Sequence, residues 1–352
     1  MERSIDINLR VWPSGRAVRT GGNTKLFALS LIGWAGAAAV LAGWLPLQVS
    51  IVTVFLFAGP HNWFEFRYFL MRLPVRFGKS RNFFLAAFSG IGLLTITFVA
   101  LPLVYTSGPW TSEHWPLVIA TWNSLLLGWL GLLVWLRGKN KRARNWFWAV
   151  PVAFALGSVN WMAPEFFSLA IVYVHPLVAI WFLDRHLRRT RPEWLRTYHR
   201  SLVLVTVLLA GIVWKLAQAP TLPDDNGLFW RITQNSGTQL LPGVSSHLLV
   251  SLHVFLELLH YGVWIIALPL IAPLAFGARS KQHRVWSSEM VPIARHPRGF
   301  PRLVKTALAF GLFVVVLLWI GFAVDYSTTR DIYFTVAIAH VLAEAPFLLK
   351  ML

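Results

Sequence analysis

Three acids and five histidines stand inside otherwise apolar stretches of the sequence. The acids are Glu65, Glu257 and Glu344, and the histidines are His61, His175, His253, His260 and His340. Each acid follows a histidine by four residues, in His61-Asn-Trp-Phe-Glu65, His253-Val-Phe-Leu-Glu257 and His340-Val-Leu-Ala-Glu344. On a helix, positions four apart share a face and lie about 5–6 Å from each other. His260 follows Glu257 by three, so His253, Glu257 and His260 form one polar stripe. Imidazole suits iron, copper, zinc and nickel. A metal-bound imidazole also needs its second ring nitrogen held by an acceptor, often a carboxylate. The pattern predicts a metal site with the five histidines as candidate ligands. The three glutamates are the candidate catalytic groups, which orient the histidines, ligate directly or move protons. Glu257-Leu-Leu-His260 has the spacing found in carboxylate-bridged di-iron bundles, which carry two such segments. This sequence has one, which favours a single ion.

The elements that must position these groups are membrane helices. The chain has 352 residues, 56% hydrophobic and only 13% charged, whereas a soluble domain carries about a quarter charged residues. That excludes a soluble enzyme and a disordered chain. The absence of cysteine excludes disulfides, zinc–thiolate sites, iron–sulfur clusters and a cysteine nucleophile. About 20 apolar residues cross a bilayer. Ten such stretches are present, at 26–46, 49–71, 83–105, 115–136, 146–161, 164–183, 201–218, 245–275, 303–324 and 332–350. The fifth is short, and Pro269 and Pro273 should kink or end the long eighth. The expectation is an all-α, polytopic bundle of about ten transmembrane helices: a cytoplasmic tail at 1–25, then one transmembrane domain at 26–352. No fixed-period repeat, soluble domain or long linker is evident.

The net charge of +18 follows the topology rather than a nucleic-acid partner. With both termini in the cytoplasm, the inner segments hold the basic runs. Examples are Arg72, Arg76, Lys79 and Arg81, then Arg137 to Arg144, and Arg185 to Arg200. The outer loops hold Arg231 and Arg330 beside Glu113, Asp224, Asp225, Asp325 and Asp331. This is the positive-inside bias, with affinity for anionic lipids as its partner consequence. The reading places the chain in a bacterial inner membrane, with the 19 tryptophans supplying interfacial belts.

Sidedness brings the site together. All five histidines fall on spans two, six, eight and ten, which run in the same direction. His61, His175, His260 and His340 lie near mid-span, and His253 lies about 10 Å outward of His260 at the helical rise. A titratable group inside a bilayer is expensive and marks function. Blander roles fit some neighbours. Glu165 beside Pro164 reads as a helix-start residue, Asn123 and Asn160 as glue between helices, and Tyr68 and Tyr261 as packing. Glu65 has an alternative ion pair with Arg67.

The histidine pattern resembles the integral-membrane β-carotene dioxygenases of the bacteriorhodopsin-related-protein (Brp/Blh) type. There an early span carries Pro-His with an acid within a turn, a later span carries two nearby histidines, and a last span carries a histidine followed by an acid. Pro60-His61 with Glu65, the pair His253 and His260, and His340 with Glu344 match those features. His175, with Asp184 downstream, stands for the remaining ligand. The resemblance implies a four-histidine ferrous site and cleavage of a carotenoid. It is confined to short patches. Asn62 stands where that family has glycine, the paired histidines are seven apart rather than four, and this chain has more spans.

The expected function is therefore that of a membrane metalloprotein, a non-haem iron oxygenase acting on a carotenoid, isoprenoid or other lipophilic substrate from the bilayer. Another transition metal would suit the same ligands. The alternative is a haem-, chlorophyll- or carotenoid-binding subunit of a membrane redox or photosynthetic complex. A proton- or metal-coupled transporter ranks third.

Overall fold

The computed structural model describes residues 24–107, 114–140, 147–223, 225, 227–269, 271, 291–297 and 299–351. Of these, 88% are helical, with no strand among the described residues. The helices are α1 (Thr24–Trp44), α2 (Pro46–Arg72), α3 (Arg81–Ser107), α4 (Trp115–Asn140), α5 (Ala149–Met162), α6 (Pro164–Thr190), α7 (Leu195–Leu216), α8 (Leu228–Asn235), α9 (Ser246–Tyr261), α10 (Pro292–Arg295), α11 (Pro301–Val324) and α12 (Tyr326–Met351). Proline opens α2, α6, α10 and α11, where its missing N–H is one the first turn does not use.

Each of the ten apolar stretches is occupied by a helix. Among the described residues, eight helical units are long and apolar enough to cross a membrane, which fits an integral membrane protein. Two others fall outside that set for different reasons. α2 is 27 residues long, but His61, Asn62, Glu65, Arg67 and Arg72 lower its hydropathy. α5 has 14 residues, about 21 Å of helix against a hydrocarbon core of about 30 Å. The eighth stretch is broken differently from expectation. A π-helical turn at Gly262–Ala267 follows α9 directly, ahead of the prolines. Pro273 lies outside the described residues, as do nearly all of the tail at 1–25 and most of the 276–302 segment.

α9 is the central post. Its most apolar window is 83% buried, against 17–33% for the other seven units. It packs against α1, α2, α6, α7 and α8. The outward faces of the surrounding helices are apolar, with Phe154 78%, Trp214 88% and Phe310 64% exposed. Water would not tolerate so much exposed hydrocarbon, and lipid does.

The ends of four helices share one side. Arg189 Nη2 donates to Met351 O at 2.8 Å, Arg137 Nη2 to Lys350 O at 3.0 Å, and Lys350 Nζ to Arg72 O at 2.7 Å. These bonds tie together the C-terminal ends of α2, α4, α6 and α12, and the cations complement the negative ends of the helix dipoles. Just inside that layer sits an aromatic core in which Phe69 and Phe347 stack at 4.3 Å, with Trp264 and Phe182 beside them.

The segment 219–244 carries α8, which packs on α9 and α2. The carboxylate of Asp225 starts this helix. Its Oδ1 accepts from the backbone N–H groups of Gly227 at 2.9 Å, Phe229 at 3.0 Å and Trp230 at 3.4 Å. The bond from Gly227 leads in holding this carboxyl below its ordinary range. A depressed carboxyl stabilises the folded state at neutral pH and loses that contribution as pH falls through its folded value. Amide exchange at Phe229 and Trp230, corrected for intrinsic rate, should accelerate when Asp225 is protonated. In Asp225→Asn the corrected rate should show no such step.

Candidate metal centre

Four helices deliver the site, and each is irregular beside it. Pro60 precedes His61 in α2, Pro176 follows His175 in α6, and Pro346 follows Glu344 by two in α12. The π turn begins two residues after His260. A proline inside a helix removes one ladder hydrogen bond, and π turns recur at functional sites. Gly262, the first residue of the turn, lies against the Trp34 indole, where a β-carbon would collide. That indole donates to Leu258 O at 2.9 Å, so α1 braces the backbone on either side of His260.

The four mid-span imidazoles converge. Ring centroids are 5.3 Å apart for His61 and His260, 5.1 Å for His61 and His340, 4.7 Å for His175 and His260, and 5.1 Å for His175 and His340. His340 Nε2 and His175 Nε2 are 3.2 Å apart. Two groups of ligand atoms lie within 4.8 Å of one another: His61, Glu65, His260 and His340, and His175, His260 and Glu344. His61 is 1% exposed, Glu65 1%, His260 2% and Glu344 2%.

The hydrogen bonds leave lone pairs aimed inward. His61 Nδ1 lies 3.0 Å from Phe57 O. A carbonyl only accepts, so Nδ1 carries the proton and Nε2 is the free donor atom. Among the described residues, His61 Nε2, both nitrogens of His260, His340 Nδ1, both oxygens of Glu65 and Oε1 of Glu344 have no hydrogen-bond partner. Buried polar atoms are almost always partnered. This concentration of orphans, with two carboxylates close enough to repel each other, describes a place for a cation. Two nitrogens bound to one ion at about 2.1 Å are themselves separated by about 3.0–3.4 Å, which accommodates the 3.2 Å between His175 and His340.

Other expectations resolve as follows. Glu344 does not serve its own helix neighbour His340; its Oε2 lies 3.1 Å from Nδ1 of His175 across the helix interface. Asp184 is remote from the cluster and binds Arg188 and His199, each at 2.7 Å. Glu65 is not paired with Arg67 among the described residues. Asn123 bonds Pro164 O and Ser168 Oγ, and Asn160 bonds Ala120 O and Ser124 Oγ, so both tie helices together. Tyr261 lies over His61 with centroids 4.7 Å apart. Tyr68 points to Met351 and Arg72.

His253 and Glu257 stand apart from the two ligand groups. Their side chains meet at 3.6 Å, and His253 Nδ1 is 3.4 Å from Ser236 Oγ. Both line a cavity of about 310 Å³ that also reaches His61, His175, His260 and His340. Asn235, Tyr261 and Tyr333 add polar atoms to it, and Phe98, Ile171, Val172, Phe334, Ile338 and Val341 form an apolar wall. A larger apolar cavity of about 720 Å³, between α1, α6, α7 and α9, has no histidine or acid in its lining.

Three contributors were not foreseen. Tyr173 fixes the α8 end by donating to Ser236 O at 2.9 Å and Leu249 O at 3.1 Å. The Asn235 amide, with its oxygen turned to α12, accepts from Arg330 Nη2 at 3.1 Å and Nη1 at 3.2 Å. Arg330 itself is not a loop residue but lies in the second turn of α12, 2% exposed. Its signal was an arginine five residues beyond Asp325 in what proves to be continuous helix.

Comparison with known protein families, characterised proteins and solved structures finds no match.

The His175–Glu344 contact generates a prediction. Partners that hold a ligating imidazole typically govern affinity by 10–100-fold. Glu344→Gln should weaken metal binding by about that factor with the helical circular dichroism unchanged, as read by competition with a chelator of known affinity.

Proposed function

We propose that the chain is an integral membrane metalloprotein, in which His61, His175, His260 and His340 hold one transition-metal ion beside Glu65 and Glu344. The supporting observation is the convergence of four imidazoles from four helices around unpartnered, buried donor atoms. Nitrogen and carboxylate donors suit iron, zinc, copper or manganese, and iron is our first choice. Two ions would have to share His260, and a neutral imidazole has one lone pair to give; a single ion needs no such sharing.

The reading extends to activity. Iron held there would supply redox chemistry with dioxygen, and the adjoining cavity would present a lipophilic substrate to it. The residues of this chain have definite tasks in that scheme. His61 is locked by Phe57 O with Nε2 presented. Glu344 orients His175. The apolar wall of Phe98, Ile171, Phe334 and Ile338 excludes water and takes hydrocarbon. The resemblance to the membrane carotene dioxygenases supports this class of reaction. Imidazole nitrogens only 3.2 Å apart favour a bare ion over a haem or chlorophyll, whose macrocycle must lie between its ligands. We also place ten helices in a bacterial cytoplasmic membrane with both termini inside. The shared basic end of α2, α4, α6 and α12 supports that orientation and a contact with anionic lipids.

Elemental analysis of detergent-purified protein, isolated without chelators, tests the reading. The expected result is about one iron per chain with no haem spectrum, falling more than tenfold in His260→Ala and in His340→Ala with helicity unchanged. Full metal content in both variants would overturn the site assignment. Absence of metal from the wild-type protein would leave the cluster as a proton relay and make transport the better reading.

A further inference from the structure

Glu257 is buried and His253 partly so, yet the metal reading does not use them. We propose that they form a hydroxyl-recognition pole, and that the ligand of the cavity is an apolar alcohol: a compact hydrocarbon body bearing one hydroxyl group. This rests on the reading of the cavity as the chamber beside the metal.

The cavity has two chemically distinct ends. One is the imidazole cluster. At the other, Glu257 is 8% exposed and lines the cavity. His253 Nε2 lies 3.6 Å from its Oε1, which is too long for a good hydrogen bond. No hydrogen bond to Glu257 is made among the described residues. A carboxylate accepts only, so Glu257 has capacity to accept from a ligand, beside the phenols of Tyr261 and Tyr333 that line the same cavity. The buried guanidinium of Arg330 lies within electrostatic reach of Glu257 and is itself held by Asn235.

These facts select the ligand chemistry. A ketone or ester has no proton to give Glu257. A carboxylate would be repelled by it. An ammonium would place a second cation beside Arg330. A neutral hydroxyl satisfies the carboxylate without adding charge. The opposite wall, from Phe98 on α3, Val172 on α6 and Phe334, Ile338 and Val341 on α12, asks for hydrocarbon. Size sets the scale. A cavity of about 150 Å³ takes one benzene, so 310 Å³ takes about a dozen non-hydrogen atoms. A short isoprenoid alcohol, or the hydroxylated end of a longer one, has that body.

The test is calorimetric titration of the full chain in detergent with geraniol and with 2,6-dimethyl-2,6-octadiene, its counterpart without the hydroxyl, each against a detergent blank. The wild-type protein should bind the alcohol about tenfold more tightly or better, the effect of one hydrogen bond to a charged group. Glu257→Leu should bring the two probes within about threefold, Glu257→Gln should keep part of the preference, and metal content should stay the same in all three. An alcohol preference removed by Glu257→Leu supports the pole even if the histidine cluster proves empty, in which case only the metal reading falls. Equal binding of both probes by the wild-type protein would overturn the proposal, as would loss of metal in Glu257→Leu. Should that variant not fold, Ile338→Trp fills the apolar wall and should abolish binding of both probes; unchanged binding would count against the cavity as the site.

Discussion

The constraint on which this bundle turns is the burial of Glu65 and Glu344 together, among four imidazoles, in the middle of hydrocarbon-facing helices. Two carboxylates deprived of water repel each other, and desolvating either one is expensive. A carboxyl that keeps its proton, an imidazole that takes one, or a bound cation would each relieve that repulsion. A cation would also use the unpartnered ring nitrogens of His61, His260 and His340, which is why the composition of the cluster supports the proposed ion.

Holding that cluster dictates the backbone. Regular helices place side chains on fixed stripes, and local irregularity tunes the point at which four of them aim their imidazoles. Pro60, Pro176, Pro346 and the Gly262–Ala267 π turn supply that adjustment, each within two residues of a site residue. Irregular backbone of this kind survives in membranes where neighbouring protein, rather than lipid, receives the freed polar groups. The α9 helix meets this condition best, since it is the most buried helix of the bundle and is braced by Trp34 from α1.

Much of this was legible in the sequence, for physical reasons that also mark where legibility stops. Apolar runs marked where the helices lie, eight of them among the described residues long and apolar enough to span, because lipid leaves no alternative to internally bonded backbone. Span direction placed His61, His175, His260 and His340 at one depth. What the sequence could not express was contact between helices. A four-residue spacing suggested that Glu344 serves His340, whereas the α6–α12 register gives it to His175. Asp184 looked close to His175 along the chain but turns toward Arg188 and His199. Arg330 read as a loop residue because charge near a span end resembles a boundary, whereas its guanidinium meets the Asn235 amide and the Phe334 ring, which makes continuing the helix tolerable.

The stripe His253, Glu257, His260 on α9 shows how one helix face can serve two ends of a cavity. Seven residues, about 10 Å of rise, separate the two imidazoles. That is too far for His253 to join the ion that His260 reaches, and it matches the length of a small ligand. A side chain in the middle of the stripe would have to choose an end. Glu257 meets His253 at 3.6 Å and lies within the field of Arg330, and it belongs to neither group of converging ligand atoms. The stripe thereby gives the cavity a polar pair, His253 and Glu257, distinct from the residues proposed to hold the ion.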